Sequence, residues 1–177
     1  MTTSSPSPVE VIQGDITAIE ADAIVNAANS TLQAGGGVCG AIFRAAGADA
    51  LTQACRAIGH CPTGEAVITP AFGIKTARYI IHAAGPVYSA YRPEEARGLL
   101  RSAYRSAIRL GAAHGCRSIA FPAISTGIYG YPLDEACREA AAVCSMEAAA
   151  HGLTIKLVAF DARTAAELRK HVPPASA

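Results

Sequence analysis

The chain has 177 residues, 51% of them hydrophobic, a length and apolar fraction that suit one compact domain with a full core. With 15 Lys and Arg against 14 Asp and Glu, the net charge is +1, which gives no broad field for duplex nucleic acid or an anionic membrane. No apolar run approaches the roughly 20 residues that span a bilayer, and Met1 to Pro8 lacks the basic start and apolar centre of a secretory signal.

These features predict a cytoplasmic protein, with a domain over residues 9–172 and disordered tails at 1–8 and 173–177. The 6 cysteines show no CxxC pair, so neither a zinc site nor a disulfide framework is indicated, and no metal or cofactor is expected. Cys55, His60 and Cys61 offer three soft ligands but no fourth at a suitable spacing.

In chain order, Val9 to Ile12 and Ala23 to Asn26 read as short strands. Val38 to Ala46 reads as a helix entered from three glycines, and Asp49 to Ile58 as a second one with Asp49 at its N-cap. Ala66 to Thr69 and Tyr79 to His82 form a strand pair, followed by a long helix from Pro93 to His114 closed by Gly115. Ser118 to Phe121 is a strand and Leu133 to Ala150 a helix, and the unit repeats with a strand at Thr154 to Phe160 and a helix at Ala162 to His171. Such alternation predicts an α/β domain of three layers, α/β/α, around a mixed, largely parallel sheet. Ligands in such folds sit at the carboxyl ends of the strands.

Two loops have the composition of a phosphate cradle. Ser125-Thr126-Gly127-Ile128-Tyr129-Gly130 follows an apolar strand and precedes a helix; its glycines let successive N–H groups converge on an anion, although a plain turn has the same composition. Gly35-Gly36-Gly37 precedes a helix whose first turn aims amide donors and a partial positive charge outward. Together they suggest a pyrophosphate clamp. Neither is followed by GK[ST], and neither gives GxGxxG with a ribose-binding acid, which disfavours ATPase and dehydrogenase chemistry. Asp15, after the first strand, can accept from an exocyclic amine or cap a turn, and Asn26 and Asn29 offer amides toward sugar hydroxyls or a turn. His82, in mid-strand, reads as a core histidine, and His114 and His151 as helix-end residues.

GDIT at 14–17, DAIVNAAN at 22–29, GGGV at 35–38 and FPAISTGIYGYP at 121–132 together resemble the macrodomain family, in matching order from Val9 to His171. CPTGEAVIT at 61–69 and ARYIIHAAGP at 77–86 resemble its MacroD-type branch, which removes mono-ADP-ribose from acidic side chains and deacetylates O-acetyl-ADP-ribose. The resemblance implies ADP-ribose as ligand, and mono-ADP-ribosylated protein or O-acetyl-ADP-ribose as substrate. It gives the adenine amine to Asp15 with help from the Ile16 backbone, and the base to Phe160. The diphosphate goes to Gly35, Gly36, Gly37 and Val38 and to Ser125, Thr126, Gly127, Ile128 and Tyr129. Asn29 would orient the distal ribose, with Tyr129 and Gly127 walling the anomeric carbon, so that Asn29 and Tyr129 carry catalysis.

The branch usually reads GGGVDGAIH where this chain reads GGGVCGAIF, placing Cys39 at the acid position and Phe43 at the histidine position. Four residues apart on one helix, they are expected on one wall of the pocket. An acid there acts as a general base, a role worth about 10²- to 10⁴-fold. Its loss implies reduced or altered hydrolysis rather than none, since some viral macrodomains that resemble this chain lack the acid and still hydrolyse. Cys39, near a helix N-terminus, is conceivable as a base or nucleophile but fits better as a small residue beside the ribose. A non-catalytic ADP-ribose reader and a phosphatase acting on ADP-ribose-1″-phosphate stand as alternatives.

Overall fold

The computed structural model describes residues 8–172. The expected tails lie outside these residues, apart from Pro8. The alternating apolar segments become β1 (Val9–Gln13), β2 (Ala23–Ala28), α1 (Gly37–Ala46), α2 (Ala48–Ile58), β3 (Ala66–Pro70), β4 (Tyr79–Ala84), α3 (Pro93–Ala113), β5 (Ser118–Phe121), α4 (Leu133–His151), β6 (Thr154–Ala159) and α5 (Ala162–His171). The strands form one six-stranded sheet in the order β1-β6-β5-β2-β4-β3, parallel except at the antiparallel pair of β3 and β4. This is the expected three-layer α/β/α architecture around a mixed, largely parallel sheet.

Each strand has an apolar side chain for both faces. Val25 and Ile81 face a core shared with Leu100, Tyr104 and Ile108 of α3 and Ala140 and Val143 of α4. Ile24 and Ile80 face a second core shared with Ile42 and Phe43 of α1 and Leu51 and Cys55 of α2. Between α3 and α4, the buried carboxylate of Glu139 is met by Arg97 and Arg101, and that of Glu147 by Arg105 and Arg109, so neither is left as an uncompensated charge.

The structure corrects two local expectations. The N-cap of α2 is Gly47, whose carbonyl accepts from Leu51 N at 3.1 Å; Asp49 instead sits in the first turn, where its charge complements the helix dipole. Strands β2 and β4 run two residues past the expected Asn26 and His82, because Ala27 and Ala28 pair in register with Ala83 and Ala84. Alanines give little strand signal of their own.

The topology also fixes where a ligand crevice opens. Strands β5 and β2 are neighbours, but the chain leaves β5 toward β6 on one side and reaches β4 from β2 on the other. Their carboxyl ends therefore flank the switch point of the sheet, and both glycine loops leave from there.

Candidate functional site

The first loop leaves β2 through a turn built by Asn29. Its Nδ2 donates to Gln33 O at 2.9 Å, and its Oδ1 accepts from Gln33 N at 2.9 Å and from Thr31 Oγ1 at 3.0 Å. Beyond it, none of the main-chain amides from Gly35 to Cys39 has a partner among the described residues; the first bond of α1 runs from Gly40 N to Gly36 O at 3.2 Å. Gly37 holds φ at +57°, a left-handed conformation that glycine adopts without penalty. The loop thus presents a row of donors at the positive end of a helix.

The second loop leaves β5. Thr126 Oγ1 donates to Ala123 O at 2.8 Å, Gly130 N to Gly127 O at 3.0 Å, and Tyr131 N to Ser125 O at 2.9 Å. From outside the loop, Tyr88 N donates to Tyr129 O at 2.9 Å. These bonds hold the ring closed and leave the amides of Ser125, Gly127, Ile128 and Tyr129 unpaired among the described residues, as in an anion-binding nest. Ser125 itself has φ +68°, a strained conformation for a side-chain-bearing residue, and its buried Oγ has no partner among the described residues. An orphaned hydroxyl beside unpaired amides suits a ligand oxygen.

Cys39 and Tyr129 bring the two loops into electrostatic reach. Burial raises the Tyr129 phenol above its ordinary value and the nearby Cys39 thiol raises it further, so the phenol is a neutral donor at physiological pH. Cys39 is itself buried, and its Sγ donates to Gln33 O at 3.7 Å. Phe43, four residues further along the same helix, is 2% exposed and lies with Cys39 in the buried cluster between α1, α2 and the sheet.

Beside the crevice, at the carboxyl ends of β1 and β6, Asp15 caps a short 3-10 turn, accepting at Oδ1 from Thr17 N at 2.9 Å and Thr17 Oγ1 at 2.7 Å, with no partner for Oδ2 among the described residues. The same turn contains Ile16, which is buried. Phe160, one residue past β6, is 80% exposed and free to lie against a planar ligand. Val38 is half-buried, whereas Ile128 is 92% exposed at the tip of its loop.

Asn26 turns away from the crevice, a further correction. It is buried, and its Nδ2 donates to His82 Nδ1 at 3.1 Å, which leaves the proton on Nε2 to bond Thr69 Oγ1 at 3.0 Å. Burial pulls His82 down to about 4, so it is neutral and structural. His114 caps α3 and His151 ends α4, as expected.

Sequence reading missed Gln33, Gly85 and Tyr88. Gln33 and Tyr88 act through main-chain groups and carry no motif letter, and Gly85, though inside ARYIIHAAGP at 77–86, acts through a missing side chain and was given no role. A depression of about 450 Å³ at the opposite, amino edge of the sheet is lined by Glu20, Asp22, Lys75, Arg78, Ser118 and Lys156. Much of its charge is met internally: Arg78 pairs with Asp22 at 3.6 Å, and Lys156 Nζ donates to Glu20 O at 2.7 Å. No helix among the described residues is long and apolar enough to cross a membrane.

A family model described as Macro domain matches residues 25–140. A Salmonella gallinarum protein named O-acetyl-ADP-ribose deacetylase is 50% identical over 165 residues, 90% of each chain. A macro domain-containing protein of Mesorhizobium japonicum is 49% identical over 159 residues, 89% of each chain. Among solved structures, the Oceanobacillus iheyensis macrodomain with ADP superposes with a TM-score of 0.86 at 37% identity, over 92% of this chain and 88% of that one. The Trypanosoma brucei macrodomain in complex with ADP-ribose gives 0.82 at 38% identity, over 92% and 68%.

Proposed function

The chain belongs to the macro domain family, and on that premise we propose that its carboxyl-edge crevice binds ADP-ribose and that the protein hydrolyses acyl esters of ADP-ribose. The observation that carries this is the pair of amide rows without partners among the described residues, Gly35 to Cys39 and Ser125 with Gly127 to Tyr129, leaving neighbouring strands of the sheet. A diphosphate between them receives donors from both sides and the positive ends of α1 and α4. The open Oδ2 of Asp15 takes the adenine amine and Phe160 takes the base. The distal ribose then extends toward Gly127, Tyr129 and Cys39.

Substrates of this class are O-acetyl-ADP-ribose and mono-ADP-ribosylated aspartate or glutamate. Water adds to the ester, releasing ADP-ribose and a carboxylic acid, which loses its proton at neutral pH. The Tyr129 phenol, kept neutral by burial, donates to an ester or ribose oxygen in this reading, and the amide rows hold the reacting end still. No carboxylate occupies position 39, so water is activated without a side-chain base there and turnover is slow. That same absence favours the second reading, a module that binds mono-ADP-ribosylated protein without chemistry.

Acetate release from O-acetyl-ADP-ribose, followed with and without a chelator, separates the two. Release that needs the protein and survives the chelator is the expected result. Saturable ADP-ribose binding without release, from this substrate or from mono-ADP-ribosylated carboxylates, selects the reader.

A further inference from the structure

We infer that Tyr104 is a positioning residue for the second amide row, gripping from behind the peptide from which that row starts; this rests on the ADP-ribose reading above. Tyr104 lies on α3 and is 1% exposed, so it acts through the loop and touches no ligand. Its ring packs on Phe121, the last residue of β5, with centroids 5.2 Å apart. Its hydroxyl then spans the residues that follow, donating to Pro122 O at 3.2 Å and accepting from Ile124 N at 3.0 Å.

Both groups lie past the end of the β5 ladder, whose last register pair is Phe121 with Leu157. Pro122 and Ile124 are buried, where an unpaired carbonyl or amide is costly, and one phenol oxygen serves both. Burial holds that phenol well above its ordinary value, so its proton stays in place to donate. The amide it receives belongs to the Ala123–Ile124 peptide. At the other end of that same peptide, Ala123 O accepts from Thr126 Oγ1 at 2.8 Å. One peptide plane is thus gripped at both ends, by α3 on one side and by the loop on the other. The next residue is Ser125, whose φ of +68° turns the chain into the open amides of Gly127, Ile128 and Tyr129. A serine keeps that conformation only where its surroundings impose it, and the gripped peptide is what precedes it.

Tyr104→Phe keeps the ring on Phe121 and deletes only the hydroxyl. Ile108→Val, one turn along the same buried face of α3, trims a core methyl and removes no loop hydrogen bond. The test is calorimetric titration of wild type and both variants with ADP and with ADP-ribose, beside the amide spectrum of each unliganded protein. The expected result for Tyr104→Phe is a rise in Kd of about fivefold, the worth of roughly one hydrogen bond, common to both ligands because they share the diphosphate. Amide shifts in the unliganded variant should centre on Ile124 to Tyr129 and spare Gly35 to Cys39. Ile108→Val should keep both affinities within about twofold of wild type. A role confined to stability lowers Tm in both variants and leaves the second-row amides and the affinities where they were. Wild-type affinity in Tyr104→Phe, an equal loss in Ile108→Val, or undisturbed second-row amides overturns the inference alone. A wild type that binds neither ligand overturns the ADP-ribose reading and this inference with it.

Discussion

Gly85 and Ser125 share one space: a Cβ on Gly85 would stand 2.4 Å from Ser125 Oγ and 2.4 Å from Ile124 Cγ2. The strained Ser125 backbone, and with it the aim of the second amide row, depends on a side chain being absent one residue past β4. Gly85→Ala should therefore weaken ADP-ribose binding by more than about tenfold and destabilise the fold by roughly 1 to 3 kcal/mol, the cost of overpacking. Calorimetry together with urea melts checks both, and wild-type affinity in Gly85→Ala would remove Ser125 from the account.

Phe160 touches little of the core, so Phe160→Ala should change stability by less than about 0.5 kcal/mol. If the ring stacks on adenine, affinity for ADP-ribose should nevertheless fall by about tenfold or more, as base stacking is worth roughly 1 to 3 kcal/mol. Unchanged affinity would place the base elsewhere.

The Cys39 thiol is a buried donor to the Gln33 carbonyl and has no hydrogen bond to a histidine among the described residues. Cys39→Ala should keep acetate release within about threefold of wild type, whereas loss of a true nucleophile costs at least about 10²-fold. Cys39→Asp should move the rate the other way by supplying a carboxylate. A collapse of release in Cys39→Ala would make the thiol a participant.

His82 sets a pH dependence of stability. Its folded value of about 4 lies below the ordinary 6.5, so the unfolded chain binds more protons between these values. The stability that depends on a neutral His82 is fully present above about pH 6.5 and is lost as pH falls toward 4, by an amount on the order of a few kcal/mol. His82→Gln should be less stable at pH 7 but lose less between pH 6.5 and 4. Parallel pH profiles of Tm for the two proteins would contradict this.

The element order, the layer architecture and both glycine loops were legible because each rests on a local pattern: apolar alternation, helix breakers, and glycines before a helix. Less legible was which of two amides in one motif faces the ligand. Asn26 and Asn29 are three residues apart, and only the pairing of β2 with β4 shows that the strand runs to Ala28 and buries Asn26. Phe43 was legible from its spacing of four, and it lies with Cys39 in one buried cluster. Gln33 was invisible, since it acts through its backbone, and the role of Gly85 inside its motif was not readable, since it acts by a missing atom.

The most direct measurement is an amide chemical-shift titration of the labelled wild-type protein with ADP-ribose. The account predicts saturable shifts, largest at Gly35 to Cys39 and at Ser125, Gly127, Ile128 and Tyr129, with one ligand bound per chain. Shifts centred instead on the opposite edge of the sheet around Lys75, Arg78 and Lys156, or no shifts at millimolar ligand, would contradict it.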